Sequence, residues 1–330
     1  MTAVAVPPVG TVGLPDSAAG DTVAYASYGR EDAPAVFVLG GISGHRFVNG
    51  DPQGGHGWWP GVVGDGAALD PARYRIVSLD WLGGAGDSSG PAASETSVPV
   101  VTTQDQAHAV VRVLDHLEID QLHGFVGASY GGMVGLALGA LYPERVRRLL
   151  VLCAAHRPHP MAVALRVLQR RIVELSTGTG RELEGLALAR ALAITTYRTP
   201  EEFEQRFAIS PNWDEGPPRF AVEDYLEHQG ERFTQRFSAT TFRILTQSLD
   251  LHRVVPEDVL VPTTVMSVDS DTLVPPWLVA ELARRLPKSG RAVRITSIFG
   301  HDAFLKEHQA VGRLILNVLE TEDHNGCAPI

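Results

Sequence analysis

Gly127-Ala128-Ser129-Tyr130-Gly131 places a serine in a G-x-S-x-G pattern, and Gly132 follows. The apolar run His123–Ala128 precedes it, and Tyr130–Leu141 follows with a helical composition that Pro143 stops. A serine at a sharp strand-to-helix turn is the context in which this motif presents a nucleophile. The glycines allow a turn too tight for side chains, which lifts the hydroxyl off the sheet edge. The helix start brings free N–H groups and positive dipole to the same place.

A serine hydroxyl needs a base, and the base needs a carboxylate to orient it. Both partners follow the serine in the chain, each after a later apolar run. Thr263–Val268 leads into Asp269-Ser270-Asp271, and Val293–Ile298 leads into Gly300-His301-Asp302. Of 12 histidines, only His301 occupies the expected site directly after the last strand-like run, so it is the expected base. Asp269 and Asp271 compete as the acid. Asp269 falls at the strand end, where an aspartate also serves as a turn-former. Asp271 lies on the loop that must reach across and is the preferred residue. An oxyanion hole takes one N–H from the residue after the nucleophile and one from the loop after an early strand. Those positions are Tyr130 and, within Gly40-Gly41-Ile42-Ser43-Gly44, Ile42.

These residues need a scaffold that gathers distant loops at one edge. Ala35–Leu39, Tyr74–Leu79, His123–Ala128, Arg148–Cys153, Thr263–Val268 and Val293–Ile298 read as short buried strands. Thr103–Leu117 has helical spacing, with Ala107, Val110, Val111 and Leu114 on one face. The alternation predicts an α/β fold, a mostly parallel sheet with helices on both faces; with the G-x-S-x-G elbow and the order Ser, Asp, His it resembles the α/β-hydrolase fold. From about 156 to 255 the rhythm changes to amphipathic helical segments, Met161–Leu175, Glu182–Tyr197 and two or more within Val222–Leu251. The expectation is a core of residues 1–155 and 256–330, with 156–255 inserted as a helical cap over the strand ends that bind ligands.

Composition narrows the function classes. The 330 residues are 44% apolar and 20% charged, as in ordinary globular proteins, and suffice for one large domain with an insertion. A formal net charge of −10 argues against a nucleic-acid partner. No apolar run approaches the roughly 18 residues of a membrane span. Met1–Gly20 lacks a signal-peptide pattern and reads as a leader or a first edge strand. The two cysteines are Cys153, in an apolar run, and Cys327, in a polar tail from Glu320 expected to fray. Neither suggests a disulfide framework, and a cytoplasmic location fits. No HExxH or Cys/His cluster marks a metal site.

Further blocks make the chain resemble the homoserine O-acyltransferase family from about Ala35 to Leu319. They include Gly57-Trp58-Trp59 with Gly64–Asp70, Leu82-Gly83-Gly84 with Ser88-Ser89-Gly90-Pro91, and Tyr142-Pro143-Glu144-Arg145-Val146. In the helical stretch they are Gln169-Arg170, Gly185–Tyr197 and Tyr225–Leu251; Asp269–Pro276 and Gly300–Leu305 close the set. The resemblance implies Ser129 as nucleophile, Asp271 as acid and His301 as base. It implies Arg190 on the α-carboxylate of an amino-acid acceptor, Tyr197 nearby, and Asp302 on the α-ammonium. It also implies acyl-CoA as co-substrate, no permanently bound cofactor, methionine biosynthesis and a homodimer. Without it, Arg190 reads as a helix-surface ion pair, Tyr197 as a core residue and Asp302 as a turn residue.

The chain departs from the family pattern at three places. Tyr130 stands where the family has Met, Gly40–Gly44 (GGISG) replaces H-A-L-T-G, and Asp80-Trp81 replaces an Asn before the L-G-G loop. The stretch ahead of the first buried strand is also short. The expectation is acyl transfer to the homoserine hydroxyl, with acetyl narrowly ahead of succinyl because it is the more frequent family chemistry. The rivals are a serine or specialised-metabolite acyltransferase, an esterase using the same three residues, and a non-catalytic binding protein.

Overall fold

The structure is a computed structural model that describes residues 8–14, 22–51, 55, 57–91, 98–213, 216–288 and 290–321. Met1–Pro7, all of 15–21, Cys327 and the tail from 322 onward lie outside them. The described residues form one eight-stranded sheet. Its strands are β1 (Val9–Gly13), β2 (Thr22–Tyr28), β3 (Ala35–Leu39), β4 (Arg75–Leu79), β5 (Gly124–Ala128), β6 (Leu149–Leu152), β7 (Thr263–Val268) and β8 (Arg291–Ile295). The spatial order is β1-β2-β4-β3-β5-β6-β7-β8. β1 and β2 run antiparallel, and β2 joins β4 antiparallel; every pairing from β4 to β8 is parallel.

The central strands are uninterrupted apolar runs because both faces are covered. Val36 and Val38 pack on one side with Val311, Leu314 and Ile315 of the helix His308–Leu319. Phe37 and Leu39 pack on the other with the helices α1 (Thr103–His116) and α2 (Tyr130–Leu141). Thr102 caps α1 through a capping box with Asp105, which fixes where the helix starts.

β6 and β7 lie side by side, Leu150 opposite Thr264, so everything from 156 to 255 leaves the sheet between adjacent strands and returns. Five described helices occupy this excursion: α3 (Pro160–Ser176), α4 (Glu182–Tyr197), α5 (Pro200–Arg206), α6 (Ala221–Thr234) and α7 (Ala239–Leu251). β8 begins two residues before Val293 and ends at Ile295, not Ile298. Beyond it the chain turns in, and the Ser297 carbonyl accepts from Ser270 Oγ at 2.5 Å. That turn carries the next loop toward β5.

Candidate active site

Ser129 has φ 53° and ψ −116°, a left-handed conformation that side chains disfavour. Its surroundings hold it there. The Ser129 amide donates to the Leu152 carbonyl at 2.8 Å, and the Gly131 amide to the Gly40 carbonyl at 2.8 Å. A Cβ at Gly127 would lie 2.3 Å from the Gly131 carbonyl oxygen, and one at Gly131 2.3 Å from that of Leu39. Neither position admits a side chain, which is the physical content of the G-x-S-x-G spacing.

Three loops bring the polar groups together. Ser129 Oγ lies 2.8 Å from His301 Nε2, and His301 Nδ1 lies 2.8 Å from Asp271 Oδ2. An ionised Asp271 can only accept, so Nδ1 donates to it and Nε2 is left to accept the serine proton. Asp271 Oδ1 also accepts from the Leu273 and Val274 amides, each at 2.9 Å. Asp269 points elsewhere, to Arg294 and, at 2.8 Å, to Thr296 Oγ1. Burial disfavours a charged His301, but the Asp271 carboxylate, by its charge and its hydrogen bond, outweighs that and raises the imidazole above its usual value. Cys153, beside this group, is fully buried; burial first, then the Asp271 and Asp302 charges, push its thiol well up. It is an inert core residue.

The loop Gly41–Gly44 faces the serine. A Cβ added to Gly41 would meet Ser129 Oγ at 3.9 Å. Among the described residues neither the Ile42 nor the Tyr130 amide donates within the protein, so both remain open to an oxyanion. The loop is tied down by the residues that depart from the family pattern. Trp81 Nε1 donates to the Gly41 carbonyl at 3.1 Å. The Trp81 ring meets the Tyr130 ring edge-on at 4.7 Å, and Tyr130 Oη shares a 2.7 Å hydrogen bond with Ser248 Oγ of α7. Asp80 accepts from the Arg46 amide at 2.8 Å and pairs with the Arg46 guanidinium, which also reaches Asp87. The three departures are thus one connected set around the oxyanion loop.

A cavity of about 170 Å³ opens over Ser129 and His301, between the sheet edge and the inserted helices. Arg190, Tyr197 and Asp302 all line it. The Arg190 guanidinium sits 4.9 Å over the Phe233 ring and 5.5 Å from that of Tyr197, with no ion pair among the described residues. Tyr197 stands 6.1 Å from the His301 ring, centre to centre. Asp302 is ion-paired with Arg198 Nε at 2.9 Å, and Arg198 in turn with Glu202. Sequence reasoning missed Arg198, and it missed Arg166, which lines the same cavity from α3. Helical spacing put Arg166 on the same face as Gln169-Arg170, the one available signal. Among the described residues no group of three or more His, Cys, Asp or Glu is placed to hold a metal, and no helix is long and apolar enough to cross a membrane.

A nucleophile elbow, a hydrogen-bonded Ser-His-Asp series on three loops and a helical insertion over them define the α/β-hydrolase class. The model of the alpha/beta hydrolase fold matches residues 34–308. The homoserine O-succinyltransferase of Xanthomonas campestris pv. campestris is 43% identical over 300 residues, covering 90% of this chain and 78% of its own. The homoserine O-acetyltransferase of Clavibacter michiganensis subsp. michiganensis is 35% identical over 342 residues, covering 91% and 87%. The crystal structure of homoserine O-acetyltransferase from Bacillus anthracis superposes with a TM-score of 0.83 over 96% of this chain and 98% of that one; at 18% identity it speaks for the fold alone. The chain belongs to the homoserine O-acyltransferase family of the α/β-hydrolase fold.

Proposed function

We propose that this protein transfers an acyl group from acyl-CoA to the side-chain hydroxyl of L-homoserine through an acyl-Ser129 intermediate. The observation that carries the chemistry is the unbroken series Ser129–His301–Asp271, 2.8 Å at each link, in the cavity beneath the inserted helices. His301 Nε2 takes the Ser129 proton as Oγ attacks the thioester carbonyl. The Ile42 and Tyr130 amides hold the oxyanion. The C–S bond breaks, and His301 returns the proton to the departing thiolate. Homoserine then enters, its α-carboxylate on Arg190 beside Tyr197 and its α-ammonium on Asp302. His301 deprotonates its hydroxyl, which attacks the acyl-enzyme; the C–Oγ bond breaks and the proton goes back to Ser129.

Two features support an amino-acid acceptor. Arg190 is a guanidinium lining the cavity with no ion pair among the described residues, suited to a carboxylate. Asp302 follows the catalytic imidazole in the chain and lines the same space. The relatives named for homoserine point the same way. The finer proposal keeps residues 156–255 as a cap, the route to methionine as its setting, the cytoplasm as its location and a homodimer as its state. Leu168, Leu175, Leu183 and Leu188 are exposed on α3 and α4, an apolar surface that favours pairing through the cap.

The test is intact-mass spectrometry after mixing with acetyl-CoA or succinyl-CoA. An adduct on the wild-type chain that is absent in Ser129→Ala is the expected result; no adduct with either donor refutes the mechanism. CoA release measured with homoserine, with serine and with neither then separates the rivals. Release that ignores both acceptors makes the protein a thioesterase.

A further inference from the structure

The cap side of the cavity holds more positive charge than its own carboxylates absorb. Arg166 and Arg170 stand one turn apart on α3, and both reach Asp250 of α7, each at 2.6 Å from one of its oxygens. One carboxylate therefore serves two guanidiniums. Arg166 Nη2 and Arg170 Nη1 are buried with no hydrogen-bond partner among the described residues. Gln169, between them on α3, is 2% exposed and lines the cavity. Each buried donor left unpaired costs a native protein stability, and a charged one more than a neutral one. Donors kept in that state beside a substrate cavity are explained by a ligand that completes them.

The ligand chemistry follows from the setting. The donors that line the cavity here are the Arg166 guanidinium and the Gln169 amide, which suit a planar carboxylate accepting several hydrogen bonds. Arg190 already supplies a separate cation, so two carboxylates can be held at once. Arg166 lines the same cavity as Ser129, His301 and Tyr197, so an acyl chain carried by Ser129 shares its space.

We propose that Arg166 and Gln169, with Asp250 and Arg170 fixing the guanidinium, form a subsite for the free carboxylate of a dicarboxylic acyl group such as succinyl. The inference rests on the acyl-Ser129 reading above and deepens it: this wall of the cap selects the donor. An acetyl group has no charged end and leaves these donors unpaired.

The experiment measures the initial rate of Ser129 acylation by succinyl-CoA and by acetyl-CoA, with no acceptor present. The wild-type chain is expected to favour succinyl-CoA by about 20-fold, in line with one charge-assisted contact. Arg166→Gln is expected to lower the succinyl-to-acetyl ratio by about 20-fold or more. Gln169→Leu, which leaves both ion pairs to Asp250 in place, is expected to lower it about fivefold. It carries the test if Arg166→Gln does not fold. Equal acylation by both donors, or a ratio that neither substitution moves, overturns the subsite and leaves acyl-Ser129 standing. Acylation by neither donor overturns both.

Discussion

The sheet side of the cavity and its cap side are held in different ways. On the sheet side, position comes from backbone. Ser129 is fixed by a hydrogen bond from its amide to Leu152 of β6 and one from the Gly131 amide to Gly40 just beyond β3, His301 by the chain's turn after β8, and Asp271 by two amides of its own loop. On the cap side, position comes from charged side chains: Arg166 and Arg170 share Asp250, Arg198 bridges Asp302 and Glu202, and Arg190 rests on aromatic rings. Backbone anchoring gives one geometry, and bond-making steps require that. Side-chain anchoring can be altered one residue at a time, which suits the part of a site that chooses among substrates. The oxyanion loop lies between these regimes, its backbone donors held by the side chains of Trp81 and Asp80.

Substitutions can break that contrast. Ser129→Ala removes the nucleophile and should lower turnover by about 10⁵-fold, with no acyl adduct in the mass spectrum. An adduct in that variant would place the nucleophile elsewhere. Asp271→Asn should cost about 10⁴-fold, because the amide no longer holds the imidazole in the tautomer that accepts the serine proton. It should also move the pH profile. His301 must be neutral to act, so the wild-type rate rises with pH through a limb above the ordinary imidazole range, where Asp271 has raised it. Without that charge, burial dominates over the remaining pull of Asp302, and the limb shifts to lower pH. A limb that stays in place would show that another group sets it.

Smaller effects sharpen the intermediate position of the oxyanion loop. Trp81→Phe keeps the ring contact with Tyr130 but frees the Gly41 carbonyl. It should lower kcat about tenfold with KM little changed, measured by steady-state kinetics. A loss confined to KM would mean that Trp81 shapes binding instead. Tyr130→Phe removes the hydroxyl shared with Ser248 and leaves that serine unpaired. It should lower stability by about 1–2 kcal/mol in urea unfolding while the acylation rate stays within about threefold. A larger rate effect would extend the Trp81–Tyr130 link to catalysis.

The sheet side was readable in the sequence because its constraints are local. Buried parallel strands must be continuous apolar runs, and an elbow must have its glycines, so Ala35–Leu39 and Gly127–Gly131 announce themselves. β2 escaped notice because Thr22–Tyr28 mixes small and polar residues with Val and Tyr, and its role depends on pairing with both β1 and β4. β8 was placed too late because its exposed edge blurs the apolar signal into the turn beyond it. The cap's polar residues were less legible. Nothing in the spacing of Arg166, Arg170 and Asp250 says that two cations share one anion, since α7 meets α3 only in space. Asp80-Trp81, Tyr130 and Gly40–Gly44 stood out one by one as departures; only their contacts show that they form one connected set.

The backbone at Ser129 is bent into its unfavourable shape by bonds that belong to the folded sheet and exist before any ligand arrives. The cost of that bend is met once, when the chain folds, and is not charged again at each catalytic cycle. Mutations that loosen β3 or β6 should therefore slow the reaction before they unfold the protein, even at sites far from the acyl chain.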